Sequence, residues 1–277
     1  MKFFDARELH NRTNHQARSK YKSQLKPYIG SKDISKITKS DILKIQIALA
    51  KTRAPKTVNQ YIQSVRAIYN FAKDEEIFTG INPAIGIKEQ KVDNERTRFL
   101  TTNDVKRLLK AVIHDSELYL FTLLSLSTGG RLGTIMHISK KDLNLENNMI
   151  TLLDIKNGGT YGGFFDKTLK DILEERIKPL NQNDKLIHMN TRTLRRNMST
   201  ILNTLFNENL KTDDRKNKVV VHTLRHTFAS HLAINGTPIF TIQKLLNHKD
   251  IKQTLRYAKL APDSGQDMVT QMMNNFS

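Results

Sequence analysis

Apolar positions along this chain recur with a helical period over most of its length. Residues 41–51 (DILKIQIALAK) follow Ser40, read as the N-cap, and carry an apolar stripe that includes 42, 43, 49 and 50. Residues 57–74 begin after Pro55 and place Val58, Tyr61, Ile62, Val65, Ile68, Tyr69 and Phe71 on or near one face. Residues 8–28 are weakly patterned but also read as helical, so the first third is a small all-helical unit. NPAIGIKEQKVDNERTR (82–98) breaks the pattern with a Pro, a Gly and mixed charge, and reads as a linker.

Beyond it, Thr101 or Thr102 caps a helix at 104–114. Helices follow at 116–127, ended by Gly129-Gly130, and at 132–138. MITLLDI (149–155) reads as a strand, NGG (157–159) as its turn and TYGGFF (160–165) as the return strand. Further helices are expected at 167–178, 191–206, 222–234, 238–247 and 250–257. The tail, 266–276, has apolar residues at 268, 269, 272, 273 and 276, an amphipathic stripe rich in Met. The fold class is mainly α (α+β), with one small antiparallel sheet.

Composition sharpens this picture in one respect. The 277 residues hold 45 Lys and Arg against 27 Asp and Glu, a net charge of +18. Residues 1–91 hold 18 bases against 8 acids, so the first third carries more than half of the excess. Its bases are dispersed through the predicted helices rather than blocked together, which suits an extended phosphate backbone. A membrane surface is the other polyanion available, but Trp is absent and no strongly amphipathic basic helix is evident. No apolar run is long enough to span a bilayer, the start is not a secretory signal, and cytoplasmic localisation is expected. The lack of Cys removes disulfides and thiolate chemistry.

Four segments concentrate the residues that could do chemistry: STGGRLG (127–133), DIKNGG (154–159), HTLRHTFASHL (222–232) and LLNHKDIKQTLRYAKL (245–260). Two arginines can clamp a phosphate through planar donors. His222 and Arg225, three residues apart on a predicted helix, can face the same phosphate. Free Tyr has a pKa of about 10 and needs cations or a base nearby to act as a nucleophile. A lysine on a hairpin turn can serve as general acid. Two-metal nuclease chemistry would need clustered carboxylates, and none accompanies these basic motifs.

In order and content these segments resemble the catalytic domain of the tyrosine recombinases, the phage-integrase and Xer family. The resemblance reaches the first third through KDISKITKSDI, the PKTVNQYIQSVRAIYNFA helix, the NPA after it and the RFLT that opens the second domain. It implies a helical, SAM-like core-binding domain at 1–87, a linker at 88–98 and a catalytic domain at 99–277. Position by position, it implies that Arg131 is the first catalytic arginine and Lys156 the hairpin lysine. His222 and Arg225 become the His-x-x-Arg pair, His248 the second histidine and Tyr257 the nucleophile. His226 and His231 are read as structural.

The reaction so implied is strand cleavage and rejoining through a 3′-phosphotyrosine and a Holliday junction, with no metal or other cofactor. It serves DNA integration and excision or Xer-type dimer resolution. The implied partner is double-stranded DNA with an inverted-repeat core site, gripped as a C-shaped clamp. A dimer binds each site and a tetramer forms the synapse, with the tail helix docking in trans. Two positions depart from the family pattern: Thr134 where many relatives have an acid, and Asn247 where Gly is common. Rival readings are a type IB topoisomerase, a non-catalytic DNA-binding relative and a helix-turn-helix regulator.

Overall fold

The computed structural model describes residues 2–8, 14–92, 98–155, 158–211, 214–263 and 265–274. The chain divides into two compact units, Met1–Asn94 and Glu95–Ser277.

The first unit is helical. It comprises α1 (Lys2–Glu8), α2 (Asn14–Lys20), a π-helical turn (Tyr21–Leu25), α3 (Lys26–Ile29), a 3-10 turn (Ile34–Lys36), α4 (Lys39–Ala50) and α5 (Pro55–Asp74). The cap of α4 is Thr38, not Ser40: Thr38 and Asp41 form a reciprocal capping box, which an acid three residues after the cap makes favourable. Pro55 opens α5, where its missing N–H costs nothing. Ile42, Ile45 and Leu49 of α4 meet Val58, Ile62, Val65 and Tyr69 of α5 in one apolar core. Each such side chain contributes about 1.5–3 kcal/mol by leaving water.

The segment after α5 is packed rather than free. Ala84 and Ile87 enter the same core. Buried Asn82 donates to the Arg66 carbonyl and to Asn70, and accepts from the Ala84 N–H. Gln90 exchanges hydrogen bonds with Asn59. Residues 82–90 read as linker in the sequence because they lack period, yet their polar groups find partners on α5.

The second unit begins with α6 (Thr102–Val112), α7 (Ser116–Thr128) and α8 (Leu132–Ile135). Thr101 caps α6 with Asp104, and Asp115 caps α7. A three-stranded antiparallel sheet follows, β1 (Leu143–Asn144), β2 (Met149–Leu153) and β3 (Thr160–Phe164), in that spatial order. The two-residue β1 was not anticipated, being too short to show alternation. Ile150 and Leu152 of β2 face the core while their neighbours face out. Then come α9 (Lys167–Ile177), α10 (Thr191–Phe206), α11 (Thr223–Ile234), α12 (Ile239–Leu245) and, near the end, α13 (Gly265–Asn274).

Between α12 and α13 the expected helix at 250–257 is two 3-10 turns, Ile251–Gln253 and Leu255–Leu260. Asp250 caps the first, and the Tyr257 N–H bonds the Thr254 carbonyl three residues back, a tighter winding than an α-helix. A main core joins α6, α7, α9, α10 and the sheet. A smaller cluster gathers Ala229, Ala233, Ile242, Leu246 and Tyr257. No helix among the described residues is long and apolar enough to cross a membrane.

Candidate active site

α11 is the centre of the site because its buried face is polar: Thr223, Arg225, His226, Thr227 and Ser230 are all buried. Arg225 is 3% exposed. Its guanidinium donates to the Gly129 carbonyl at 2.7 Å and to the Leu246 carbonyl at 2.5 Å. Both acceptors are last-turn or post-helical carbonyls that α7 and α12 leave without helical partners. Gly129 can play this part because it closes α7 at φ +62°, and a Cβ there would lie 2.3 Å from Phe228. Burial, then the nearby Arg131, lowers the Arg225 pKa to about 10, so it remains a cation at neutral pH.

Arg131 occupies the N-cap position of α8 without a side-chain capping bond and is partly exposed. Its Nη1 lies 3.7 Å from the Asp154 carboxylate. That nitrogen is buried, with no hydrogen-bond partner among the described residues. A buried, unsatisfied guanidinium N–H beside a second arginine suits one oxygen of a bound phosphodiester.

Asp154, 1% exposed, sits at the end of β2. Besides facing Arg131, it accepts from the Asn247 side-chain amide at 2.9 Å. Asn247 holds a left-handed backbone, φ +49°, which Asn tolerates better than most residues and which explains Gly as the alternative there. Thr134 is buried and donates to the Leu153 carbonyl. Position 134 carries no acid, and the carboxylate that approaches Arg131 is Asp154, from the end of β2. The same carboxylate joins Arg131, the root of the β2–β3 turn and the loop bearing His248.

His248 follows α12, with Nδ1 2.9 Å from the Thr254 hydroxyl. Burial first, then Arg225, Arg131, Arg256 and His222, lower its pKa to about 3, so the ring is neutral at pH 7. Tyr257 is 5% exposed and packs in the smaller apolar cluster. Burial raises its pKa, against the opposing pull of Arg256 and Arg225. His222 is exposed at the head of α11. Lys156 lies outside the described residues. Arg131, His222, Arg225, His248 and Tyr257 are therefore placed together, from three of the four segments.

Two further residues, His226 and Asp154, touch this group. The Tyr257 hydroxyl lies 2.7 Å from Nδ1 of His226, a ring read as structural. The signal for it was the spacing: His226 is one turn from His222, and the two rings meet edge-on at 4.9 Å. Asp154 had no such signal, since a lone acid at a strand end is unremarkable. His231 does behave as a packing residue. It donates to the Leu100 carbonyl and meets the Phe99 ring edge-on.

A helical domain that gathers two arginines, histidines and a tyrosine defines the class of DNA strand-transfer enzymes that work through tyrosine. Residues 98–263 match the phage integrase family and residues 2–88 the phage integrase central domain. The chain belongs to the phage integrase family, the tyrosine recombinases, enzymes of site-specific DNA recombination. It is 29% identical to tyrosine recombinase XerA of Saccharolobus solfataricus over 251 residues, covering 89% of this chain and 82% of that protein. It is 27% identical to the integrase of Escherichia phage P2, covering 78% of this chain and 59% of that one. The fold is shared with the Tn1549 transposon integrase in complex with transposon right end DNA. The TM-score is 0.73 at 17% identity, over 100% of this chain and 99% of that one. It is shared equally with a lambda integrase dimer bound to a COC′ core site, with a TM-score of 0.73 at 17% identity over 92% and 76% of the two chains.

Proposed function

We propose that Tyr257 attacks the scissile phosphorus of duplex DNA and leaves a 3′-phosphotyrosine, while Arg131 and Arg225 hold the two non-bridging oxygens. The observation that carries this is the pairing of Arg225, fixed by two carbonyls, with an Arg131 Nη1 that is buried and unsatisfied. Charge that grows on the phosphoryl oxygens during attack then meets donors already in position, which lowers the barrier. His248, held neutral, donates a hydrogen bond to the same group without adding a cation. His222, three residues from Arg225, lines the approach to it. Lys156, between β2 and β3 in the sequence, protonates the leaving 5′ oxygen. The phosphotyrosine keeps the energy of the broken bond, so a 5′-hydroxyl from the partner strand rejoins it with no nucleotide cofactor and no metal.

Residues 1–87 act as the core-binding domain and 99–277 as the catalytic domain, joined through 88–98, and each contacts double-stranded DNA at an inverted-repeat core site. The net charge of +18 supports this, because many dispersed phosphate contacts give strong, sequence-independent affinity. Two copies occupy a site and four form the synapse, in the cytoplasm. Val269, Met272 and Met273 of α13 are exposed, which supports docking of this tail on a neighbouring copy.

The test is covalent capture. A nicked duplex is built around the sequence recovered by binding selection from a randomised inverted-repeat library. The wild type should form a denaturant-resistant protein–DNA adduct on it, and Tyr257→Phe should bind equally well and form none. An adduct that persists in Tyr257→Phe would refute the assignment of the nucleophile.

A further inference from the structure

A phenol buried among apolar side chains cannot easily lose its proton, and burial already pushes the Tyr257 pKa up. Attack on phosphorus requires that proton to go somewhere. The contact that reaches the reacting oxygen comes from α11: Nδ1 of His226, at 2.7 Å. His248, the other imidazole of the site, has its own Nδ1 against the Thr254 hydroxyl. His226 is 9% exposed, so its ring is held by packing and stacks edge-on against His222.

We propose that His226 is a catalytic residue, the proton acceptor for Tyr257 in cleavage and its proton donor in rejoining. This rests on the reading of Tyr257 as the nucleophile. In cleavage the neutral ring, protonated at Nε2, accepts the phenolic O–H at Nδ1. The Tyr257 oxygen–phosphorus bond forms, the proton passes to Nδ1 and His226 becomes imidazolium. The bond from phosphorus to the 5′ oxygen breaks, its electron pair leaves with that oxygen, and an acid of the site protonates it. In rejoining a 5′-hydroxyl attacks phosphorus and gives its proton to the group that served as the acid in cleavage, the bond from phosphorus to the Tyr257 oxygen breaks, and the departing phenolate takes its proton back from His226.

The surroundings give this step a condition. Among the described residues, the charged and titratable groups near the pair include Arg225 and His222 on α11 and Arg256 on the 3-10 turn. The cations among them oppose an imidazolium at His226. The scissile phosphate, brought between the arginines, supplies the compensating negative charge. Proton transfer is thereby coupled to occupancy of the site by DNA.

The experiment measures adduct formation on the same nicked duplex by the full chain carrying His226→Ala or His226→Asn. The asparagine keeps a polar group near Nδ1 but cannot take up a proton. DNA affinity and unfolding temperature are recorded for each. Both variants should bind DNA within about twofold of wild type and form adduct about a hundred- to a thousandfold more slowly, the range for loss of a general base. Added imidazole should restore His226→Ala by at least about tenfold, because a small base can enter the space left by the ring. Adduct formation within about threefold of wild type in either variant would overturn the proposal, as would a slow His226→Ala that imidazole leaves unchanged. If His226→Ala fails to fold, His226→Asn decides alone by the same limits. A wild type that forms no adduct would instead overturn the assignment of Tyr257 itself.

Discussion

α5 and α11 are both long buried helices, and they spend their burial differently. The inward face of α5 is built largely from apolar side chains, Val58, Tyr61, Ile62, Val65, Tyr69 and Ala72. The inward face of α11 carries Thr223, Arg225, His226, Thr227 and Ser230 beside Leu224, Ala229 and Ala233. Burying polar groups is unfavourable unless each finds a partner. On α11 the partners include Gly129, Leu246 and the Tyr257 hydroxyl, so the helix holds its neighbours through the same groups that the proposed chemistry uses. α5 is organised for stability, and α11 gives up some of that for a preorganised site.

The largest effect should come from Arg225→Ala. It removes one arm of the proposed phosphate clamp and leaves two carbonyls without their donor. Cleavage per bound complex should fall at least about a thousandfold, and unfolding should become easier by about 1–3 kcal/mol. If cleavage per bound complex stayed normal while DNA binding vanished, the division between binding and chemistry would be wrong. On α5 the pattern should reverse. Ile62→Ala should cost about 2–4 kcal/mol in denaturant unfolding, yet protein that remains folded should cleave normally.

Asp154→Asn should slow adduct formation by about 10- to 100-fold through loosened orientation of Arg131. DNA affinity should change little. Wild-type rates in this variant would show that Arg131 needs no acid from the sheet.

The smallest effect concerns pH. His248 has a pKa of about 3 in the folded chain, against about 6.5 in a flexible one. Below about pH 6.5 the unfolded chain takes up a proton that the folded site refuses. The stabilising contribution is therefore complete above that pH and is lost as pH falls toward 3. His248→Gln should flatten the corresponding part of the profile of unfolding temperature between pH 7 and pH 4. An unchanged slope would show that His248 titrates normally.

The same two helices show what the sequence can disclose. α5 was legible from period alone, because its face is apolar and regular. The candidate site residues came from motif order and a resemblance, since periodicity says nothing about Arg225. Residues 250–257 were misread as helix because their apolar spacing also fits 3-10 winding once Asp250 and Thr254 tighten the turns. Asp154 and Asn247 are 93 residues apart, and only the fold brings them to 2.9 Å. His226 was within reach of sequence reasoning, one turn from His222, but its target is set by the winding before Tyr257.

The central claim is that the buried Tyr257 phenol is the group that takes the DNA strand. Protease digestion of the trapped adduct, followed by mass spectrometry of the nucleotide-bearing peptide, tests it most directly. The account predicts a single modified peptide with the phosphodiester on Tyr257, joined to the 3′ end of the cleaved strand. Linkage to another residue, or to the 5′ end, would contradict it.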